Sequence, residues 1–196
     1  MTTLVNFRNT VLTLVCITSS LFFIGGCKNE AKTTDSEEVA EDMNKPKDDA
    51  TRERDEEFMM KTAEMNLKEI ALGKLAQQKA TNADVKAMGK MMEETHKKVQ
   101  ADLEALAGMK SIAVPKVATQ DVQDLIMKMS EKSGMDFDKD YCDNVVSAHK
   151  DAVDKFENAS NNAFDPDIKA WASGTLGDLR AHLTNAMTCR DKLSKM

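Results

Sequence analysis

The chain has 196 residues and a net charge of −6, with 8 glycines, 3 prolines and only 5% aromatic residues. That length gives one domain room for a real core, and the abundance of Ala, Lys, Glu, Asp, Leu and Met favours helix over strand. There is no Gly-rich phosphate loop, and no stretch is basic enough for a nucleic-acid surface, so nucleic acid is excluded as a partner.

The charge is unevenly spread. Residues 1–27 hold one base, Arg8, and no acid, whereas residues 28–57 hold 12 acids and 6 bases. The first segment reads as an address. MTTLVNFRN carries the single positive charge, and VLTLVCITSSLFFIGG is as long as a signal-peptide apolar region and short for a membrane span. It ends in Ile24-Gly25-Gly26-Cys27, which resembles the lipobox of bacterial lipoproteins. The resemblance implies a signal peptide over residues 1–26, cut before Cys27, and acylation of Cys27, whose acyl chains would make the membrane a partner. Two or three chains on one cysteine anchor firmly, where one binds only marginally. The Asp that retains such lipoproteins at the inner membrane is absent after Cys27, so the expected address is the outer membrane of a bacterial envelope, with either face open. The plainer alternatives are an uncleaved anchor, or an ordinary signal peptide with an incidental cysteine. Residues 27–55 are charged and almost free of apolar side chains, and they read as an acidic disordered tether.

From Phe58 a helical period takes over. A first helix is expected over about 55–80, apolar on several sides. Thr81-Asn82 marks a turn with a cap, and a second helix over about 83–107 carries Val85, Gly89, Met92, His96, Val99, Leu103 and Leu106 on one seam. A linker with Pro115 leads to a short helix over about 120–133, ended by Gly134. A third long helix runs from after Asp136 to about Asn162, with Cys142, Val145, His149, Ala152, Phe156 and Ala159 facing inward. Asp165-Pro166 is a cap followed by a proline at the first helical position. The last helix presents Ile168, Ala172, Thr175, Leu179, His182, Ala186, Cys189 and Leu193. Two hairpins joined by a long connection predict a ferritin-like four-helix bundle over residues 56–196, with the short helix on the crossover. Simple up-down-up-down topology is the alternative.

Residues 142–149 read CDNVVSAH and residues 182–189 read HLTNAMTC, the same pair at the same interval in reverse order. Across an antiparallel hairpin that mirror image sets Cys142 opposite Cys189 and His149 opposite His182, both pairs centred on Asp165-Pro166. With Cys16 in the signal peptide and Cys27 acylated, Cys142 and Cys189 are expected to form a disulfide. It would close a loop of about 46 residues, worth on the order of 4 kcal/mol by loop entropy. A redox pair and thiolate metal ligands are the other readings.

All three histidines, His96, His149 and His182, are seam residues near mid-bundle. Neutral imidazoles with one carboxylate suit a single zinc, copper or iron ion. Glu69, the acid of the first helix nearest in height, and Glu93, three residues before His96, are the candidate carboxylates. Glu93 and His96 form one Glu-x-x-His, where a di-iron site needs two; Val146 and Leu179 stand at the equivalent positions of the later helices. The competing readings are a structural polar network and, through Met88, Met91 and Met92, a Cu(I) site.

EFMMKTAEMNLKEIALGKLAQQKATNADVKAMGKMMEETH, FDKDYCDNVVSAHKDAVDKFENAS and DPDIKAWASGTLGDLRAHLTNA together resemble domain-of-unknown-function family 4142, exported bacterial proteins with a ferritin-like bundle. The resemblance spans 56–196 and implies the fold and an envelope location, but no established reaction. It places Glu69, His96, His149 and His182 on recurring polar positions of the family. This chain has Gly177 where the family commonly has proline, and Cys142 and Cys189 lie outside the general pattern. The leading expectation is a non-catalytic envelope lipoprotein with a binding or stress-related role. A metal-dependent oxidase is the competing class. Protein partners are not legible in the sequence.

Overall fold

The computed structural model describes residues 50–196, which fall within one compact unit. The expected signal peptide 1–26, the acylation site Cys27 and the tether as far as residue 49 lie outside the described residues. The described residues form five helices and no strand: α1 (Ala50–Lys79), α2 (Ala83–Lys110), α3 (Gln120–Ser130), α4 (Gly134–Asn162) and α5 (Pro166–Leu193). Among them no helix is long and apolar enough to cross a membrane.

Both hairpin turns are capped as the sequence demands. Asn82 accepts from the amides of Asp84 (2.8 Å) and Val85 (3.4 Å), which would otherwise lack partners at the start of α2. Asp165 does the same for Asp167 (2.8 Å) and Ile168 (3.2 Å), with Pro166 opening α5. α1 packs along α2 and α4 along α5; α1 also neighbours α4, and α2 neighbours α5. α2 and α4 are therefore diagonal. Asp138 near the start of α4 accepts from the Thr81 amide, the Thr81 hydroxyl and the Asn82 amide, so α2 and α4 begin at the same end and run parallel. The connection between them must cross the length of the bundle, and α3 lies on it against α1. This is ferritin-like connectivity, and the up-down-up-down alternative is excluded.

Three boundaries differ from expectation. α1 begins at Ala50, so residues 50–55, read as tether, are helical. Their charges are used rather than solvated: Arg52 bonds Glu56 at 2.7 Å, and buried Asp55 accepts from the amides of Phe164 (3.1 Å) and Asp165 (2.7 Å). α3 stops at Ser130, and Gly134, at φ 60°, opens α4 instead of ending α3. A left-handed residue suits the tight turn between the two helices. α2 runs on to Lys110, whose ammonium meets Asp165 (2.7 Å) and Asp167 (2.6 Å) at the start of α5.

The expected seams of α4 and α5 are all buried. On α2, Gln100 is buried while Val99 is half-buried, because Gln100 has polar partners inside. Near the α4–α5 turn, Phe58, Phe156 and Trp171 pack ring to ring at 5.1–6.1 Å. At the other end Phe137, Tyr141, Cys142 and Leu193 fill the core. The polar layer lies between these apolar ends.

Candidate metal centre

α2, α4 and α5 each send one histidine to mid-bundle, and one ring nitrogen from each lies within 4.8 Å of the other two. His96 and His149 are 1% exposed and His182 is 6% exposed. The ring centroids form a nearly equilateral triangle, with sides of 5.4, 5.6 and 5.4 Å. The mirror-image spacing thus works as its register requires: His149 and His182 meet, and His96 joins them from the other hairpin.

The hydrogen bonds settle which nitrogens carry protons. The Pro115 carbonyl only accepts, so Gln100 presents Nε2 to it at 3.4 Å, and the same Nε2 donates to Glu104 at 2.8 Å. Gln100 Oε1 then accepts from Asn66 Nδ2 (3.4 Å), which turns Asn66 Oδ1 towards His96 Nδ1 (2.9 Å). His96 must donate from Nδ1. His149 Nδ1 likewise donates to the Val145 carbonyl at 3.0 Å. In the neutral rings both Nε2 atoms are therefore bare lone pairs, and they face each other at 3.4 Å. His182 Nδ1 is buried with no hydrogen-bond partner.

Burial keeps these rings neutral. It holds His96 well below the usual histidine range, with His149 and His182 adding to the effect. Burial and His182 bring His149 down to about 4. Burial lowers His182 as well, against the pull of Asp178. A proton between the two Nε2 atoms is thus disfavoured by desolvation.

Glu69 is fully buried, and neither carboxylate oxygen has a partner. Burial, only partly offset by Lys68, raises it from 4.5 to about 7. It sits three residues after Asn66, one helical turn along α1 on the same face, and its charge is felt by Tyr141, whose buried hydroxyl is also unpartnered. Glu93 takes no part in the cluster. It bridges the flank of α1 and α2, bonded to Gln77 Nε2 and Lys97 Nζ, each at 2.5 Å. Met88 and Met91 line a cavity at Cys189, towards the cysteine end, and Met92 packs in that core too. Cys142 and Cys189 meet as the mirror image requires, with their sulfurs 3.5 Å apart as two buried free thiols.

Asn66 and Gln100 were not foreseen. A turn centred on Thr81 puts residue 66 level with His96, but a search confined to carboxylates passes over a neutral amide.

The sequence pattern of one protein family, described as "Domain of unknown function (DUF4142)", matches residues 40–189. The chain belongs to this family. The DUF4142 match starts ahead of α1 and ends at Cys189, so it includes the whole polar layer. Neither the curated proteins nor the solved structures give a match.

Proposed function

We propose that this DUF4142 bundle is a non-catalytic binding module holding a single transition metal ion through His96, His149 and His182. One observation carries the reading: two Nε2 lone pairs, each fixed by a hydrogen bond on the far side of its ring, are aimed at each other at 3.4 Å. Alone, that contact is repulsive. A cation between the rings turns it into two bonds, because metal–nitrogen bonds of about 2.0–2.1 Å at the tetrahedral angle set ligand atoms about 3.3 Å apart. Asn66 and Val145 are the outer partners that such a ligand set uses to orient its rings. Glu69, buried and unpartnered but outside the group of three ring nitrogens, would have to swing towards them to serve as a fourth ligand. Imidazole and carboxylate suit zinc, copper or iron.

The reading includes the rest of the chain. Cys27 carries acyl chains that tie the bundle to the outer membrane, and Cys142 and Cys189 form a disulfide in the oxidising envelope. Cys27→Ala then leaves unprocessed precursor or releases the protein; normal processing and membrane retention of that variant reject the anchor.

The metal is tested by elemental analysis and by calorimetric titration of the purified chain with Zn(II), Cu(II) and Fe(II). Each His→Ala variant loses affinity, and Lys155→Ala does not. Binding no tighter than about millimolar, roughly 4 kcal/mol, would make the histidines a structural polar network. A second reading, a metal-dependent oxidase, draws on the open coordination position that three histidines leave and on Glu69 as a buried, unpartnered acid of the same core. Oxygen consumption by iron-loaded protein, absent in Glu69→Gln, distinguishes it from a module that only binds.

A further inference from the structure

The two cysteines differ in what surrounds them. Cys142 is fully buried on α4, whereas Cys189 lines a cavity of about 300 Å³ between α2 and α5. Asp84, Met88, Met91, Asn185 and Lys192 also line it, and Asp84 and Lys192 form an ion pair at 2.8 Å on its rim. Asn185 Nδ2 contacts the Met91 sulfur at 3.9 Å on the same wall. Cys189 forms part of the cavity wall, and Cys142 does not.

We propose that Cys189 is a thiol–disulfide exchange site, at which a small disulfide such as oxidised glutathione docks in this cavity, and that Cys142 is the resolving thiol. The proposal rests on the reading of the pair as disulfide-forming and adds the route. The Cys189 thiolate attacks one sulfur of the incoming disulfide. A Cys189–S bond forms, the incoming S–S bond breaks, and one thiolate leaves and takes up a proton. Cys142, 3.5 Å away, then loses its proton to solvent through the departing group and attacks Cys189 Sγ. The second half of the donor leaves as a thiol. Two protein thiols become one disulfide, and one donor disulfide becomes two thiols.

Electrostatics favour this order. The Cys142 thiol donates its hydrogen bond to Cys189, which raises Cys142 and lowers Cys189 despite the opposing effects of burial and Asp84, with a smaller contribution from Lys192. The thiolate, the form that attacks, therefore develops first at the cysteine on the cavity wall. The final bond requires the sulfurs to approach to about 2.05 Å, within reach of side-chain rotation on two neighbouring helices.

The test reacts the full chain, reduced beforehand, with oxidised glutathione at neutral pH and maps adducts by peptide mass spectrometry, which separates Cys142 and Cys189 from Cys16 and Cys27. Cys142→Ser should trap glutathione on Cys189, and Cys189→Ser should gain it on Cys142 roughly tenfold more slowly. Equal rates, or faster reaction at Cys142, would overturn the route. Failure of wild type to join Cys142 to Cys189 under a direct oxidant such as diamide would overturn the disulfide reading itself, and the route with it. Circular dichroism checks that both variants keep their helices. Should either unfold, wild type is alkylated with limiting N-ethylmaleimide: a first adduct on Cys189 sustains the proposal, and one on Cys142 overturns it.

Discussion

The two hairpins set the same layer at the same distance from different fasteners. In α1–α2 the fastener is Gly73 against Gly89, and one heptad further along stand Asn66 and His96. In α4–α5 it is Cys142 against Cys189, and one heptad along stand His149 and His182. The first works by steric contact of backbones. A Cβ on Gly73 would lie 2.6 Å from the Gly89 carbonyl oxygen, and one on Gly89 would lie 2.7 Å from the Ala76 Cβ and 2.9 Å from the Gly73 carbonyl oxygen. The second works through side chains, and its own glycines, Gly174 and Gly177, have nothing within 4 Å of an added Cβ. Register can thus be held by the absence of side chains or by a matched pair of them. Only the first kind is independent of redox state.

The comparison breaks most severely at Gly89. Gly89→Val forces α1 away from α2 where no flexible side chain can yield, and should cost more than about 3 kcal/mol in urea unfolding. Metal affinity should fall with it, since His96 would leave its height. A loss under about 1 kcal/mol would mean the close approach is incidental.

The second hairpin breaks by chemistry. Joining Cys142 to Cys189 should raise unfolding free energy by about 3–4 kcal/mol on the loop-entropy account, and reduction should lower the thermal midpoint while helicity persists. Unchanged midpoints in the two redox states would remove the staple from the account. Gly89→Val should be destabilising in both states.

A pH series sharpens what the first hairpin contributes to the layer. Glu69 is raised from 4.5 to about 7, so in metal-free protein its contribution is full below 4.5 and is lost as pH rises through 7. The histidines act in the opposite sense. Their folded values lie below 6.5, so their contribution is present above 6.5 and lost as pH falls, through about 4 for His149. Metal-free wild type should lose stability on both sides. Glu69→Gln should abolish only the alkaline loss, on the order of 3 kcal/mol for a shift of that size. A variant with the same alkaline slope as wild type would show that Glu69 is not the group responsible.

The smallest effect has the opposite sign. Gly177→Ala meets open space in a helix interior and should stabilise by about 0.5–1 kcal/mol. A destabilised Gly177→Ala would show that the second hairpin also depends on a bare backbone.

Much of this was legible in the sequence because period and punctuation agreed. The seams of α4 and α5, the caps at Asn82 and Asp165 and the mirror image of Cys142–His149 with His182–Cys189 all follow from spacing alone. Glu93 was not separable that way. Its Glu-x-x-His spacing is right, but the side chain leans to the flank, where Gln77 and Lys97 hold it. Nor was Asp55, which looks like any acid of a charged run until the α4–α5 turn, more than a hundred residues away, presents two amides to it. Long-range polar contacts leave no periodic trace. The Gly73–Gly89 contact was half visible: Gly89 was placed on the seam, while the partner that gives it meaning lies on a helix whose polar interior blurs its pattern.

Asp55 and Asp138 have a consequence beyond capping. Each belongs to one hairpin and binds the turn of the other, at opposite ends of the bundle. Neither end can splay while both carboxylates stay in place. An ion at mid-bundle would have to pass sideways between helices, waiting for a hairpin to lift. Its residence time would then be governed by how often two aspartates release together, a clock set about 16 Å along the helices from the ion and adjustable without touching a single ligand.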